Sequence, residues 1–329
     1  MAGKAFVRQT GVHLAAGTSE AMSGLPVAYH PGYSIAMPEH HPFPMAKFHR
    51  LREAFDASGL ARSLDFNQPE PIAWHDVERV HTRAYAAAFR DGTTDERAQR
   101  RTGFWWSPEL VHRTRLECGG TLLTLRLALE HGLACNAAGG THHAFPDYGS
   151  GYCLLNDMAI AAATVLDEGL AHRILIVDLD VHQGDGTAFI FRDDPRVFTF
   201  SMHAAGNFPA RKQTSDRDVP LARDTDDATY MDVLGDELIP LLERIQPDLV
   251  IYDAGVDIHH ADRLGHLAIT DDGLARRDRL VLTACRDRGL ATAGVIGGGY
   301  DRDLEALARR HGVLHQEAVS VWQAGTVLN

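Results

Sequence analysis

The chain has 329 residues, 45% of them apolar, and a formal charge of −12 from 32 Lys and Arg against 44 Asp and Glu. That apolar fraction can bury a sizeable core, and the acidic balance argues against a protein that holds nucleic acid by neutralising phosphates. The charge is compatible with a cationic substrate, but it is common among soluble enzymes and carries little weight for one.

In chain order, residues 1–24 hold no apolar stretch of signal-peptide length and read as a poorly constrained leader. Short β-prone runs follow at "PVAYH" (26–30), "LACN" (133–136), "RILIVDLD" (173–180), "VFTFSMH" (197–203), "DLVIYDAG" (248–255) and "LATAGVIGGG" (290–299). Helical patterns lie between them at 116–132, 155–169, 226–245 and 271–289, the third with a potential kink at Pro240. Strands and helices alternate, and the central strands are apolar on both faces. This predicts an α/β fold: a mostly parallel sheet with helices on both faces, in one domain over residues 25–329. No run reaches the roughly 18 apolar residues of a membrane span. Cys118, Cys135, Cys153 and Cys285 form no CxxC pair, so a reducing, cytoplasmic setting is expected.

The chemistry concentrates where these strands end. "DLDVHQGDG" (178–186) closes an apolar run with Asp178, Asp180 and His182 at alternate positions. If the strand persists, all three point to one side, at the carboxyl edge where parallel sheets bind ligands. Buried paired carboxylates need a positive partner, and Asp with His suits Zn²⁺. A strand-end Asp cluster capping the next helix, or a phosphatase DxD, is the competing interpretation. A third ligand is sought in "IYDAGVDIHHADRLGHL" (251–267), among Asp257, His259, His260, Asp262 and His266; Asp257 is favoured because it is nearest the strand end.

Two more clusters share that edge. "GGTHHAFPDYGSGYCLLND" (139–157) carries adjacent His142 and His143 in a Gly-rich loop. Such a pair serves as ligands, as an acid/base couple or as solvated surface. "GVIGGGYDRD" (294–303) places Tyr300 after three glycines, where its hydroxyl could meet a developing oxyanion or simply pack; the loop lacks phosphate-binding spacing.

Taken together, "THHA", "DLDVHQGDG", "AGVDIHHADRLGHL" and "GGGY" resemble the zinc-dependent histone deacetylase superfamily, with its arginase-like α/β fold, from about residue 26 to 320. "HPF" (41–43), "VHTRAY" (80–85) and "GSGYCLLND" (149–157) fit the same family. Gln183 and the 118–136 segment look most like its class IV branch. The resemblance implies one catalytic zinc on Asp180, His182 and Asp257, and a catalytic pair in His142 and His143. Asp178 and Asp185 would stand behind those imidazoles, and Tyr300 would donate to the oxyanion. It further implies a structural potassium at Asp178, Ser201 and the backbone near Met202, and an acyl-lysine tunnel walled by Gly151, Tyr152 and Phe208. The family's rim Asp has no clear counterpart in "RDGTTDERAQRRTGFWW" (90–106).

The expected activity is therefore hydrolysis of an acyl group from a lysine side-chain amine, with class IV relatives pointing to long fatty acyl chains. The expected partner is an acyl-lysine protein or peptide or a small acylated amine, with no nucleic acid and no membrane span. Three alternatives stand beside it: an acetylpolyamine amidohydrolase, a dimanganese ureohydrolase, and a binding protein without turnover.

Overall fold

A computed structural model of the chain describes residues 24–326. The leader expected over 1–24 lies outside these residues except for Gly24. In order, the elements are β1 (Leu25–Ala28), α1 (Lys47–Ser58), β2 (Leu64–Asn67), α2 (Trp74–Val77), α3 (Arg83–Asp91), α4 (Glu96–Thr102), α5 (Pro108–His131) and β3 (Leu133–Asn136). Then come α6 (Asp157–Asp167), β4 (Ile174–Asp178), α7 (Asp185–Phe191), β5 (Val197–Ala204), β6 (Arg217–Leu221) and α8 (Asp227–Ile245). The described chain closes with β7 (Leu249–Asp253), α9 (Asp271–Arg286), β8 (Ala291–Val295) and α10 (Leu304–Thr326).

The strands form one eight-stranded sheet, order β2-β1-β3-β8-β7-β4-β5-β6, parallel throughout. Every residue of β3, β4 and β7 is buried, as expected of strands covered on both faces. Helices α5 and α6 pack together, and α1, α10, α9 and α8 pack in succession as a second group. Caps explain several helix starts. Ser107 accepts from Leu110 N at 3.1 Å with Pro108 in the first turn, Asn156 from Ala159 N at 3.0 Å, and Thr270 from Gly273 N at 3.1 Å. Pro240 lies inside α8 on its exposed face, where the carbonyl it leaves unbonded can meet water. No helix among the described residues is long and apolar enough to cross a membrane.

This topology positions the site. β3, β8, β7 and β4 are successive neighbours, so the loops leaving their carboxyl ends converge. Those loops carry His142 and His143, Tyr300, Asp257, and the Asp180–His182 pair.

One expectation changes. Strand β4 ends at Asp178 and does not run on through His182. Asp178 Oδ1 accepts Asp180 N at 3.1 Å, and Asp180 Oδ1 accepts His182 N at 2.8 Å. Each carboxylate bonds the backbone two residues on and curls the chain into a turn. The side chains therefore do not share one strand face: Asp178 serves His142, while Asp180 and His182 face Asp257.

Candidate active site

The loop from β3 opens with Gly139 and Gly140 at φ of 90° and 91°. A Cβ on Gly140 would collide with the Gly297 backbone and with Asp253, so only glycine lets the two loops meet there. Buried Asp157, at the start of α6, ties this loop down. It accepts from Gly140 N at 3.2 Å, Thr141 N at 2.7 Å and Thr121 Oγ1 at 2.5 Å. His81 adds a second tie, its ring 3.0 Å from Phe145 O and accepting Asn156 N at 2.9 Å.

So held, the two imidazoles are buried and face one another, with Nε2 atoms 3.2 Å apart. His142 Nδ1 lies 2.8 Å from Asp178 Oδ2, and His143 Nδ1 lies 2.6 Å from Asp185 Oδ1. Each carboxylate accepts a hydrogen bond from Nδ1–H, which leaves Nε2 of a neutral ring as the acceptor. The rings differ electrostatically. Burial works against charge on His142, but Asp178 and Asp180 outweigh it and hold that imidazolium well above its ordinary range. Burial and the neighbouring His142 charge push His143 down to about 4, despite Asp185.

Beside the pair, Asp180, His182 and Asp257 bring three ligand atoms within 4.8 Å of one another, all buried. His182 Nδ1 is 3.0 Å from Asp180 Oδ1 and 3.2 Å from Asp257 Oδ2. The remaining carboxylate oxygens are fixed by backbone: Asp257 Oδ1 accepts Val181 N at 2.9 Å, and Asp180 Oδ2 accepts Gly298 N at 2.8 Å. Asp257 Oδ2 has no hydrogen-bond partner among the described residues. Burial, then the Asp180 charge, drives Asp257 up to about 7. Burial opposes charge on His182, but Asp180 and Asp257 raise it to about 10. A Cβ on Gly298 would strike both Asp257 and Asp180. Two carboxylates, one imidazole, an orphaned buried oxygen and a glycine-lined gap fit a zinc ion with an open position.

The other polar residues of the Asp257 loop are engaged elsewhere. His259 Nε2 sits 3.2 Å from Asp271, His260 Nδ1 is 3.1 Å from Ile269 O, and Asp262 accepts Tyr300 N at 2.7 Å. His266 lines the mouth of the cavity. A second buried group, His142, Asp178 and Asp253, lies next to the first. Asp253 has no hydrogen-bond partner for either oxygen among the described residues, and burial plus Asp178 push it well above the usual carboxylate range.

A cavity of about 480 Å³ leads down to His143, His182 and Tyr300. Its wall includes Gly151, Tyr152 and Phe208. The Phe208 ring stands edge-on to His143 with centroids 4.8 Å apart, and a Cβ on Gly151 would collide with His143. Tyr152 holds the left-handed conformation, φ 63°, unusual for a residue with a side chain, with its ring 5.7 Å from Tyr300. Tyr300 is buried, its ring 6.4 Å from that of His182, and burial followed by Asp180 and Asp257 keeps its hydroxyl protonated. Asp178 pairs in register with Ser201 on β5, next to Met202. The side-chain oxygens of both are already bonded: Asp178 to His142 and Asp180 N, Ser201 to His203 Nδ1 at 3.0 Å.

Several supporting residues carry no motif. Arg277 on α9 is fully buried and donates to Gly255 O at 2.5 Å and Ala254 O at 3.1 Å, pinning the turn that presents Asp257. Lys47 is buried below the Tyr300 ring at 5.8 Å and donates to Gly297 O at 3.2 Å; burial lowers it to about 8. Asp157 and Asp253 complete this set. Their contacts span tens to hundreds of residues, so local pattern gives no signal for them. Arg277 is one of four consecutive charged residues, Arg276 to Arg279, so nothing in the sequence singles it out.

Residues 41–314 match the histone deacetylase domain family. An uncharacterized protein of Picosynechococcus sp. is 54% identical over 301 residues, covering 91% of this chain and 100% of its own length. Histone deacetylase 2 of Arabidopsis thaliana is 28% identical over 291 residues, covering 85% and 75%. Acetoin utilization protein AcuC of Staphylococcus aureus (strain Mu50) is 30% identical over 254 residues, covering 70% and 65%.

Proposed function

Because this chain belongs to the histone deacetylase family, we propose that it is a zinc-dependent hydrolase that removes acyl groups from the side-chain amine of lysine. The observation that carries the reading is the meeting of a three-ligand site with an unevenly charged His pair at the floor of one cavity. Zinc held by Asp180, His182 and Asp257 would supply Lewis acidity, polarising the scissile amide and making water easier to deprotonate.

The chain's own groups do the rest. Neutral His143 accepts the proton of the attacking water at Nε2 and returns it to the departing amine. Asp185 fixes its tautomer. His142, charged and backed by Asp178, stabilises negative charge as it develops and keeps His143 basic only weakly. Tyr300 donates its hydroxyl to the oxyanion of the tetrahedral intermediate. Gly151, Tyr152 and Phe208 line the acyl-lysine arm and keep water from it. No nucleophilic side chain is required.

Gln183 supports a place in the class IV branch, and with it long acyl chains. Its amide donates to Gln213 O at 2.8 Å and Asp218 Oδ1 at 2.7 Å and accepts Gln213 N at 2.8 Å. It thereby clamps the loop that carries Phe208. Potassium rests on the resemblance alone, and no step depends on it. Four buried thiols accord with a reducing, cytoplasmic setting. The test is a lysine peptide panel carrying acetyl, butyryl, octanoyl and myristoyl groups, with and without a zinc chelator. Chelator-sensitive release supports the reading, and its trend with chain length sets the acyl preference. No release from any peptide rejects lysine as the substrate.

A further inference from the structure

The chain as a whole is acidic, at −12, yet the cavity's walls and mouth hold three arginines and no Asp or Glu among the described residues. Arg100 pairs with Glu96 one turn earlier in α4. Arg101 does not pair. It is exposed, its guanidinium lies 4.6 Å from the Tyr148 ring centre, and no carboxylate meets it among the described residues. Arg263, on the Asp257 loop, directs its hydrogen bonds to two carbonyls, Tyr300 O at 2.6 Å and Pro42 O at 3.1 Å. Carbonyls orient a guanidinium without neutralising it, and Arg263 forms no ion pair among the described residues.

Two segments thus bring uncompensated positive charge to the cavity that leads to His143. A cation entering there is repelled, and an anion is attracted over about a Debye length, roughly 10 Å at 0.1 M salt. Arg101 also ends a helix, where a cation is favourable in its own right. Helix stabilisation alone, however, would leave substrate choice unaffected, so the two roles separate experimentally.

We propose, resting on the deacylase reading above, that the mouth selects acylated amines bearing a carboxylate beside the acylated arm and disfavours polycationic ones. The carboxylate could belong to Asp or Glu flanking an acyl-lysine in a protein, or to the α-carboxylate of a free Nε-acyl amino acid. Acylated polyamines and Lys/Arg-rich tails fall on the disfavoured side.

The experiment compares kcat/KM for one acylated lysine flanked by Asp/Glu or by Lys/Arg, and for Nε-acyl-lysine with its α-amine acetylated, as the free acid against its C-terminal amide. Acetylspermidine is the cationic control, and each is run at low and high salt with the full chain and with Arg101→Gln. Exposed pairs are individually weak, so the acidic peptide should win by about two- to tenfold at low salt. The preference should shrink in Arg101→Gln and vanish at high salt, while turnover of the uncharged amide stays unchanged. If the free acid also beats its amide by more than the peptides differ, the small acid is the source; otherwise the acidic peptide is. Equal rates, a basic preference, or a preference indifferent to both salt and Arg101 overturns the inference and leaves the deacylase reading standing. No turnover of any substrate overturns both.

Discussion

The Nε2 atoms of His142 and His143 lie 3.2 Å apart, so the two imidazoles share one positive charge and do not carry two. The carboxylates decide where it resides: His142 faces Asp178 and Asp180, whereas His143 has only Asp185. His143, at about 4 against an ordinary 6.5, is the ring left neutral, as the proposed proton acceptor must be.

A pH profile follows from that. The active form of His143 is neutral, so rate is lost as pH falls through its depressed pKa. With zinc in excess, kcat/KM should hold from pH 7 down past 6.5 and fall only towards about 4. A bound cation nearby moves the limb further the same way. An acid limb centred near 6.5, read from initial rates, contradicts the assignment. His143→Ala should cost roughly two to four orders of magnitude in rate while metal content is unchanged.

Tyr300 is held by Asp262 at its backbone N–H and by Lys47 beneath its ring. Tyr300→Phe removes only the hydroxyl and leaves those contacts. We expect kcat to fall by about two orders of magnitude, roughly 3 kcal/mol, with little change in KM. A change confined to KM would mean that the hydroxyl binds substrate and does not stabilise the oxyanion.

Gly298 brings its backbone against the candidate ligand carboxylates, donating to Asp180 Oδ2 at 2.8 Å. Gly298→Ala would drive a methyl group against Asp180 and Asp257. The variant should fold, as judged by circular dichroism, and bind zinc at least 10-fold more weakly, the scale seen when groups that orient metal ligands are disturbed. Undiminished zinc affinity would place the metal elsewhere.

Buried histidines make the fold acid-labile. His81 bridges two backbone groups of the catalytic loop, and His315 packs on Phe55 with centroids 4.7 Å apart. Burial lowers each from 6.5 to about 4. Both are therefore depressed on folding, and the unfolded chain binds the extra protons. Stability is full above about pH 6.5 and lost as pH falls towards 4, by on the order of 3 kcal/mol per histidine. Urea midpoints at pH 7.5, 6 and 5 should decline steeply, and His81→Gln should flatten that decline while lowering stability at pH 7.5. A flat wild-type profile would contradict it.

The central fold and the meeting place of the candidate residues were both legible because one feature wrote them: apolar runs buried on both faces, each ending in polar residues at the same sheet edge. "LACN" is β3 to the residue, and "DLVIYDAG" brackets β7. The sheet edges were silent. β6, "RDVPL", is polar and contains Pro220, and β2, "LDFN", is short; edge strands need neither apolar faces nor a full set of N–H donors. Strand alternation also misread Asp178 to His182, because side-chain bonds to the following backbone curl that segment into a turn. Arg277, Asp157, Lys47 and Asp253 escaped notice for a different reason. Arg277, Asp157 and Lys47 act through contacts that exist only after distant loops meet, Asp253 is set apart only by its burial, and no periodicity marks such residues.

The most direct measurement titrates zinc into metal-free protein while following release from an acyl-lysine peptide and counting bound metal. His142 Nδ1 is already committed to Asp178 at 2.8 Å, so the adjacent group does not make a second strong site. We predict that release is absent without metal and rises linearly to a plateau at one zinc per chain, unchanged in Asp253→Asn. Activity that requires two metals, or that Asp253→Asn abolishes together with half the bound metal, would contradict this account in favour of a binuclear hydrolase.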